Sequence, residues 1–147
     1  MTSRKFLLDV NVLVALSDSE HEHYPEARKW FNSLNGAEWC ICPLTESGFV
    51  RVSTNPRVSS PLVRTLAQAT AILANLASSV GYNYWPIKES WATLTMAFVD
   101  RITGHQQVTD AYLLGLAIKE NGVLVTFDRG LKYLAGPQFS RNLLVLE

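Results

Sequence analysis

The sequence predicts an α/β fold, a mainly parallel central sheet of about five strands flanked by helices on both faces. Three observations lead there. Short apolar runs alternate with helical stretches along the whole chain, the pattern of strands joined by crossover helices. From Ala111 to Ile118 every residue is apolar, aromatic or glycine, so this helix has no face for water and belongs inside the fold. Finally, 147 residues of which 48% are hydrophobic are enough for one real core, so residues 1–147 are expected to form a single domain.

Taken in order, residues 5–9 form a short buried strand, and residues 11–17 a helix entered directly from its carboxyl end. A polar loop at 18–23 precedes a second helix, with Pro25 in its first turn, Ala27, Trp30, Phe31 and Leu34 at helical spacing, and a stop at Asn35-Gly36. Residues 38–42 are a strand. Pro43 then opens a helix that carries Glu46 near its start and ends at Asn55-Pro56. Ser59-Ser60-Pro61 is expected to start a long Ala- and Leu-rich helix running to about Val80, closed by Gly81. Its weak polarity suits packing under a neighbour or a dimer surface.

Residues 82–87 are strand-like, and Pro86 confines them to a sheet edge or a strand end. Residues 91–102 have the spacing of an amphipathic helix, with Leu94, Met96, Phe98 and Val99. A polar link at 103–107 leads to the buried helix at 108–121, with Thr109 as N-cap and Gly122 as terminator. The chain finishes with a strand at 123–126, a turn at Asp128-Arg129-Gly130, a short helix at 131–135 and a last strand at 143–146.

Acidic and basic residues balance at 13 each, so a nucleic-acid partner would need a local basic patch rather than a global field. The run from Arg4 to Leu8 imitates a signal peptide, but Asp9 and Asn11 interrupt it. No stretch is long enough to span a bilayer, and a soluble, cytoplasmic protein without a membrane role is expected. Cys40 and Cys42, two apart in a strand, point the same way but stand too far apart to bond to each other without distortion. Without further ligands at matching spacing they are expected to be buried, reduced thiols.

Asp110 stands at the mouth of the buried helix, where exposed N–H groups and the helix dipole favour a carboxylate. Asp9 follows the first strand, Asp128 the fourth, and Glu46 sits near another helix start. Each acid alone is explained by a cap or a turn. Together they can converge on the carboxyl edge of the sheet, where open α/β folds place their sites. Clustered carboxylates repel one another and must take up protons or hold a cation. Mg²⁺ or Mn²⁺ suits oxygen donors, and no histidine or cysteine at these four places argues for zinc. A cation with retained waters suits attack on a phosphodiester.

Four segments carry a family resemblance: Leu7-Leu8-Asp9-Val10-Asn11-Val12-Leu13; Leu44-Thr45-Glu46-Ser47-Gly48-Phe49-Val50-Arg51-Val52 with Thr54-Asn55-Pro56 behind it; Val108-Thr109-Asp110-Ala111-Tyr112-Leu113; and Val125-Thr126-Phe127-Asp128-Arg129-Gly130. In this order and spacing they resemble the PIN-domain family, and within it the VapC-type toxins of toxin-antitoxin modules. The resemblance implies a Mg²⁺- or Mn²⁺-dependent endoribonuclease of α/β/α form, a homodimer, neutralised by a small VapB-type antitoxin whose carboxy-terminal segment enters the active-site groove. It implies Asp9 and Asp110 as direct metal ligands, Glu46 and Asp128 completing the acidic set, and Asn11 and Thr126 supporting them.

Arg129 and Arg51, and more remotely Arg57 and Arg101, are candidates for RNA phosphates. His105, His21 and His23 are expected to be loop histidines, and Trp30, Trp39, Trp85 and Trp91 core residues. Two competing functions are weaker. A phosphatase using Asp9 as acceptor wants an Asp where Asn11 stands, and a response-regulator receiver wants paired acids on its first strand and a Lys after its last. A non-catalytic PIN module binding RNA or protein would be favoured by loss of a key acid, and all four are present.

Overall fold

The computed structural model describes residues 4–59 and 61–147. Strand β1 (Lys5–Leu8) passes through Asp9 into α1 (Val10–Leu16), and α2 (Tyr24–Asn32) leads to β2 (Glu38–Ile41). Helices α3 (Pro43–Ser53), α4 (Pro56–Ser59) and α5 (Leu66–Ala77) then precede β3 (Tyr82–Tyr84). After α6 (Trp91–Thr95) come α7 (Val108–Lys119), β4 (Val123–Thr126), α8 (Leu131–Ala135) and β5 (Leu143–Val145).

All five strands are parallel, in the order β3-β2-β1-β4-β5. The chain therefore builds outward from β1 in one direction, then returns to its other side, making a switch point between β1 and β4. Alternate strand residues feed two cores. Phe6, Leu8, Trp39, Ile41, Val123 and Val125 pack with α1, α2, α3 and α5 on one face. Leu7, Cys40 and Leu124 pack with α6, α7 and α8 on the other. Helix α7 is the inner wall of that second layer, with Ala111, Leu113, Leu114, Leu116 and Ala117 buried, as its unbroken apolar sequence requires. Trp39 and Trp85 are core residues, while Trp30 and Trp91 are partly buried at its margins. Both cysteines are buried and free, and burial pushes both thiols up in pKa.

Several boundaries differ from expectation for local reasons. The helix expected from Ser59-Ser60-Pro61 begins instead at Leu66; Ser60 lies outside the described residues. A capping box sets the start: Gln68 N–H donates to Thr65 Oγ1 (3.1 Å), and Thr65 N–H to Gln68 Oε1 (2.9 Å). Pro56 does end α3, but it also begins the one-turn α4. The segment expected to be helical over 91–102 is α-helical only to Thr95, then continues as a 3₁₀ segment, Met96–Arg101. Thr95 is buried with its hydroxyl bonded back to Trp91 O (2.9 Å), and Phe98 leaves helical geometry to reach the core against Phe139. In α7 the cap is Gln107, and Thr109 lies inside the first turn because a 3₁₀ turn, His105–Gln107, runs straight into the helix. The helix ends with Asn121 in the left-handed region (φ 55), not with Gly122. Gly122 is needed for another reason: a Cβ there would lie 2.8 Å from Trp85 Cη2 and 2.9 Å from Lys5 O.

Candidate active site

Asp9 extends β1 by one ladder bond, its N–H donating to Val125 O at 2.9 Å. It then turns the chain into α1 as N-cap, with Val10 N–H donating to its Oδ1 at 2.7 Å. The side chain is 7% exposed. From the adjacent strand, Thr126 donates its hydroxyl to Asp9 Oδ2 at 2.8 Å. Thr126 Oγ1 in turn accepts from Asn11 Nδ2 (3.2 Å) and from Asp128 N–H (3.0 Å). A hydroxyl has one donor and two lone pairs, so Thr126 is fully used. Asn11 returns a bond by accepting from Phe127 N–H at 3.2 Å, and Asp128 Oδ1 accepts from Gly130 N–H at 2.8 Å. These links tie the start of α1 to the turn after β4 across more than a hundred residues of chain.

Asp110, in the first turn of α7, completes the group, lining the same cleft as Asp9 and Asp128 and close enough to both for their charges to act on it. Burial, then the charges of Asp9 and Asp128, lift its pKa from 3.8 to about 7. Asp9 is also pushed up, chiefly by burial and also by the charge of Asp128, against the opposing pull of the Thr126 hydroxyl and Val10 N–H. All three aspartates line one cleft of about 730 Å³ at the switch point. Among the described residues no group of three or more acidic, histidine or cysteine side chains is arranged to hold a metal ion.

The structure does not bring Glu46 into this group. Glu46 lines a second cleft of about 710 Å³ between α3 and α5, with Arg51, Val50, Leu73 and Tyr82. Gly48 lies against α1, where a Cβ would meet Val10 Cγ2 at 2.5 Å, and the end of α3, through Val52 and Ser53, lines the acidic cleft, while Glu46 stands in its first turn. Arg51 lines the second cleft as well, and Arg129 is exposed in the turn beyond Asp128.

Some lining residues carried no expectation. Arg64 approaches the cleft just before α5, donating from Nη2 to Ser17 O (2.6 Å) and from Nη1 to Ser17 Oγ (3.2 Å). Asp18, Glu20 and His21 form part of the rim, from the loop expected to be plain connection. His23 in the same loop stacks on Phe127 at 4.7 Å, and its N–H donates to His21 Nδ1 at 3.0 Å. Ser53, the last residue of α3, also faces the cleft. No periodicity or motif marks these residues; the loop geometry gathers them.

The PIN domain model matches residues 6–137. Ribonuclease VapC38 of Mycobacterium tuberculosis is 45% identical over 129 residues, covering 88% of this chain and 89% of that protein. Ribonuclease VapC39 of the same organism is 39% identical over 125 residues, covering 85% and 89%. Among solved structures, VapBC2 from Rickettsia felis, bound to a DNA fragment from their promoter, aligns with a TM-score of 0.67 at 16% identity, over 97% of this chain and 99% of that one. The sarcin-ricin loop cleaving toxin VapC20 of M. tuberculosis aligns with a TM-score of 0.59 at 13% identity, over 80% and 84%. Sequence and fold agree with the resemblance that the four motifs carry, and the chain belongs to the PIN-domain family, among its VapC ribonucleases.

Proposed function

We propose that this chain is a divalent-metal-dependent endoribonuclease, the toxin of a VapBC-type pair, with its metal site at Asp9, Asp110 and Asp128. The observation that carries the site assignment is the convergence of three aspartates on one cleft at the β1/β4 switch point, where burial raises the proton affinity of Asp9 and Asp110. Such a group is unfavourable when ionised and is relieved by a cation. Its donors are all carboxylate oxygens, the set a hard ion prefers. Mg²⁺ and Mn²⁺ keep several waters and need only one or two direct carboxylates, so they do not require three side chains already gathered around one point. Asp9 and Asp110 are assigned as the direct ligands, Asp128 as their neighbour, and Glu46 is left out because α3 carries it to the other cleft. A bound ion of this kind lowers the pKa of coordinated water and offsets charge building on a phosphate.

The chain's own part is orientation. Thr126 and Val10 N–H hold the two oxygens of Asp9, and Asn11 holds the turn that carries Asp128, so little rearrangement is left for the moment of reaction. The proton that Asp110 holds below about pH 7 must leave before a cation binds there.

An RNA whose bases are splayed in a single-stranded loop is the assigned substrate class. A small antitoxin is the assigned partner, supported by the VapBC and FitAB assemblies among the structural relatives, with its carboxy-terminal segment seated in the acidic cleft. The apolar exposed surface of α5, with Leu66 65% exposed, is assigned to a homodimer contact.

The test is cleavage of total cellular RNA by the purified, antitoxin-free protein with Mg²⁺ or Mn²⁺, with and without EDTA, beside the Asp9→Asn variant. Discrete fragments that require both metal and Asp9 are expected. Fragments that persist in the folded Asp9→Asn variant overturn the site; no cleavage by the folded, metal-loaded protein favours the non-catalytic module.

A further inference from the structure

We propose that Arg64 and Ser53 form a phosphate subsite beside the three aspartates, which holds an RNA phosphate next to the one being cut. The inference rests on the nuclease reading above. The cleft walls are strongly acidic, with Asp9, Asp18, Glu20, Asp110 and Asp128, and the one arginine or lysine among the residues lining it is Arg64. A polyanion entering such a cleft needs a cation away from the metal, and guanidinium presents a planar fork matched to phosphate oxygens.

Arg64 is also held in place. Its N–H donates to Ser53 O at 3.0 Å, which fastens the extended segment before α5 to the end of α3. Its guanidinium grips the carboxyl end of α1 through Ser17 O and Ser17 Oγ. These two bonds use two of five N–H groups, so the fork is oriented while donors remain. A side chain fixed in this way loses less entropy on gripping a ligand.

The second observation is independent. Ser53 is 2% exposed, lines the same cleft, and its Oγ has no hydrogen-bond partner. A buried hydroxyl without a partner costs free energy and marks a place where a ligand oxygen or a bound water completes the set. The Arg64 N–H to Ser53 O bond joins the two residues through their backbones, and both line the acidic cleft.

The test uses a short labelled RNA spanning the cut mapped in total cellular RNA. Arg64→Ala is expected to raise KM about tenfold or more with a smaller change in kcat, because it removes a charged contact made before and during reaction. Binding of the same RNA is then measured against salt in the uncleaving Asp9→Asn background. There Arg64→Ala is expected to flatten the slope of log K against log salt by about 0.7, the release associated with one phosphate on a single strand. Arg64→Lys is expected to restore the slope but only part of the affinity, since ammonium makes no fork. A purely structural role predicts a lower Tm with an unchanged salt slope, and that result overturns the subsite. Ser17→Ala, which removes one anchor and no charge, is the control for that case. If Asp9→Asn protein binds the RNA and Arg64→Ala leaves KM and slope unaltered, the subsite falls while the nuclease stands. If the wild type neither cuts nor binds RNA, both fall.

Discussion

Replacing Asp110 by Asn removes a carboxyl whose pKa the fold lifts from 3.8 to about 7, through burial and the neighbouring charges of Asp9 and Asp128. The folded pKa exceeds the unfolded one, so the native state binds this proton more tightly. Its contribution to stability is complete below about pH 4 and is lost as pH rises through about 7. A rise of that size corresponds to about 4 kcal/mol without screening. Asp110 is only partly buried, and solvent screening reduces the figure to about 2 kcal/mol. Asparagine resembles the neutral acid in size, so the metal-free Asp110→Asn protein should be about 2 kcal/mol more stable than wild type at pH 8. For a chain of this length that raises Tm by roughly 4–8 °C. At pH 4 the two proteins should melt together. The assay is thermal unfolding in EDTA at a series of pH values, repeated with Mn²⁺. Saturating metal should reverse the order, because a ligand that binds only the native state adds about 2.7 kcal/mol at a hundred times Kd, and the variant has lost a ligand. A variant that melts at or below wild type at pH 8 in EDTA, or that gains as much from Mn²⁺, would refute the argument that these carboxylates repel one another until a cation arrives.

Three further outcomes are expected. Thr126→Val keeps the shape but removes a hydroxyl that makes three hydrogen bonds, so stability should fall by about 2–3 kcal/mol, read by denaturant midpoint, with Thr126→Ser recovering most of it. Mn²⁺ affinity, measured by calorimetry on the metal-free protein, should climb about tenfold per pH unit below 7 and level off above it, because binding displaces the Asp110 proton; a flat profile from pH 5 to 8 would contradict this. Gly122→Ala puts a methyl against Lys5 O and the Trp85 ring, and should cost about 1–3 kcal/mol in chemical denaturation while leaving the acidic cleft, at the other end of β4, able to bind Mn²⁺.

The order of elements was legible because each strand is a short apolar run bounded by turn residues, and α7 is apolar on every side. Asp9 and Asp128 were placed correctly by rule: an acid directly after a parallel strand lies at the carboxyl edge. Thr126 and Asn11 were legible only through family likeness, since nothing local shows that one hydroxyl will serve Asp9, Asn11 and Asp128 at once. Glu46 illustrates the limit. Its place at a helix start suggested convergence, but in the folded chain it lines the cleft between α3 and α5, and nothing in the local sequence shows which cleft that turn of α3 meets.

The sequence by itself determined the α/β class, the parallel sheet, the buried helix and the positions of Asp9 and Asp128 just after strands, because period, capping and strand ends are local properties read from neighbours in the chain. Tertiary structure alone decided the raised proton affinities of Asp9 and Asp110, the lining of a different cleft by Glu46 and Arg51, and the arrival of Arg64 in the acidic one. Those depend on burial, helix packing and the late start of α5 at its capping box, which leaves Arg64 in extended chain between α3 and α1. Charge interactions and helix rotation are set by residues far apart in sequence, and only packing brings them within reach.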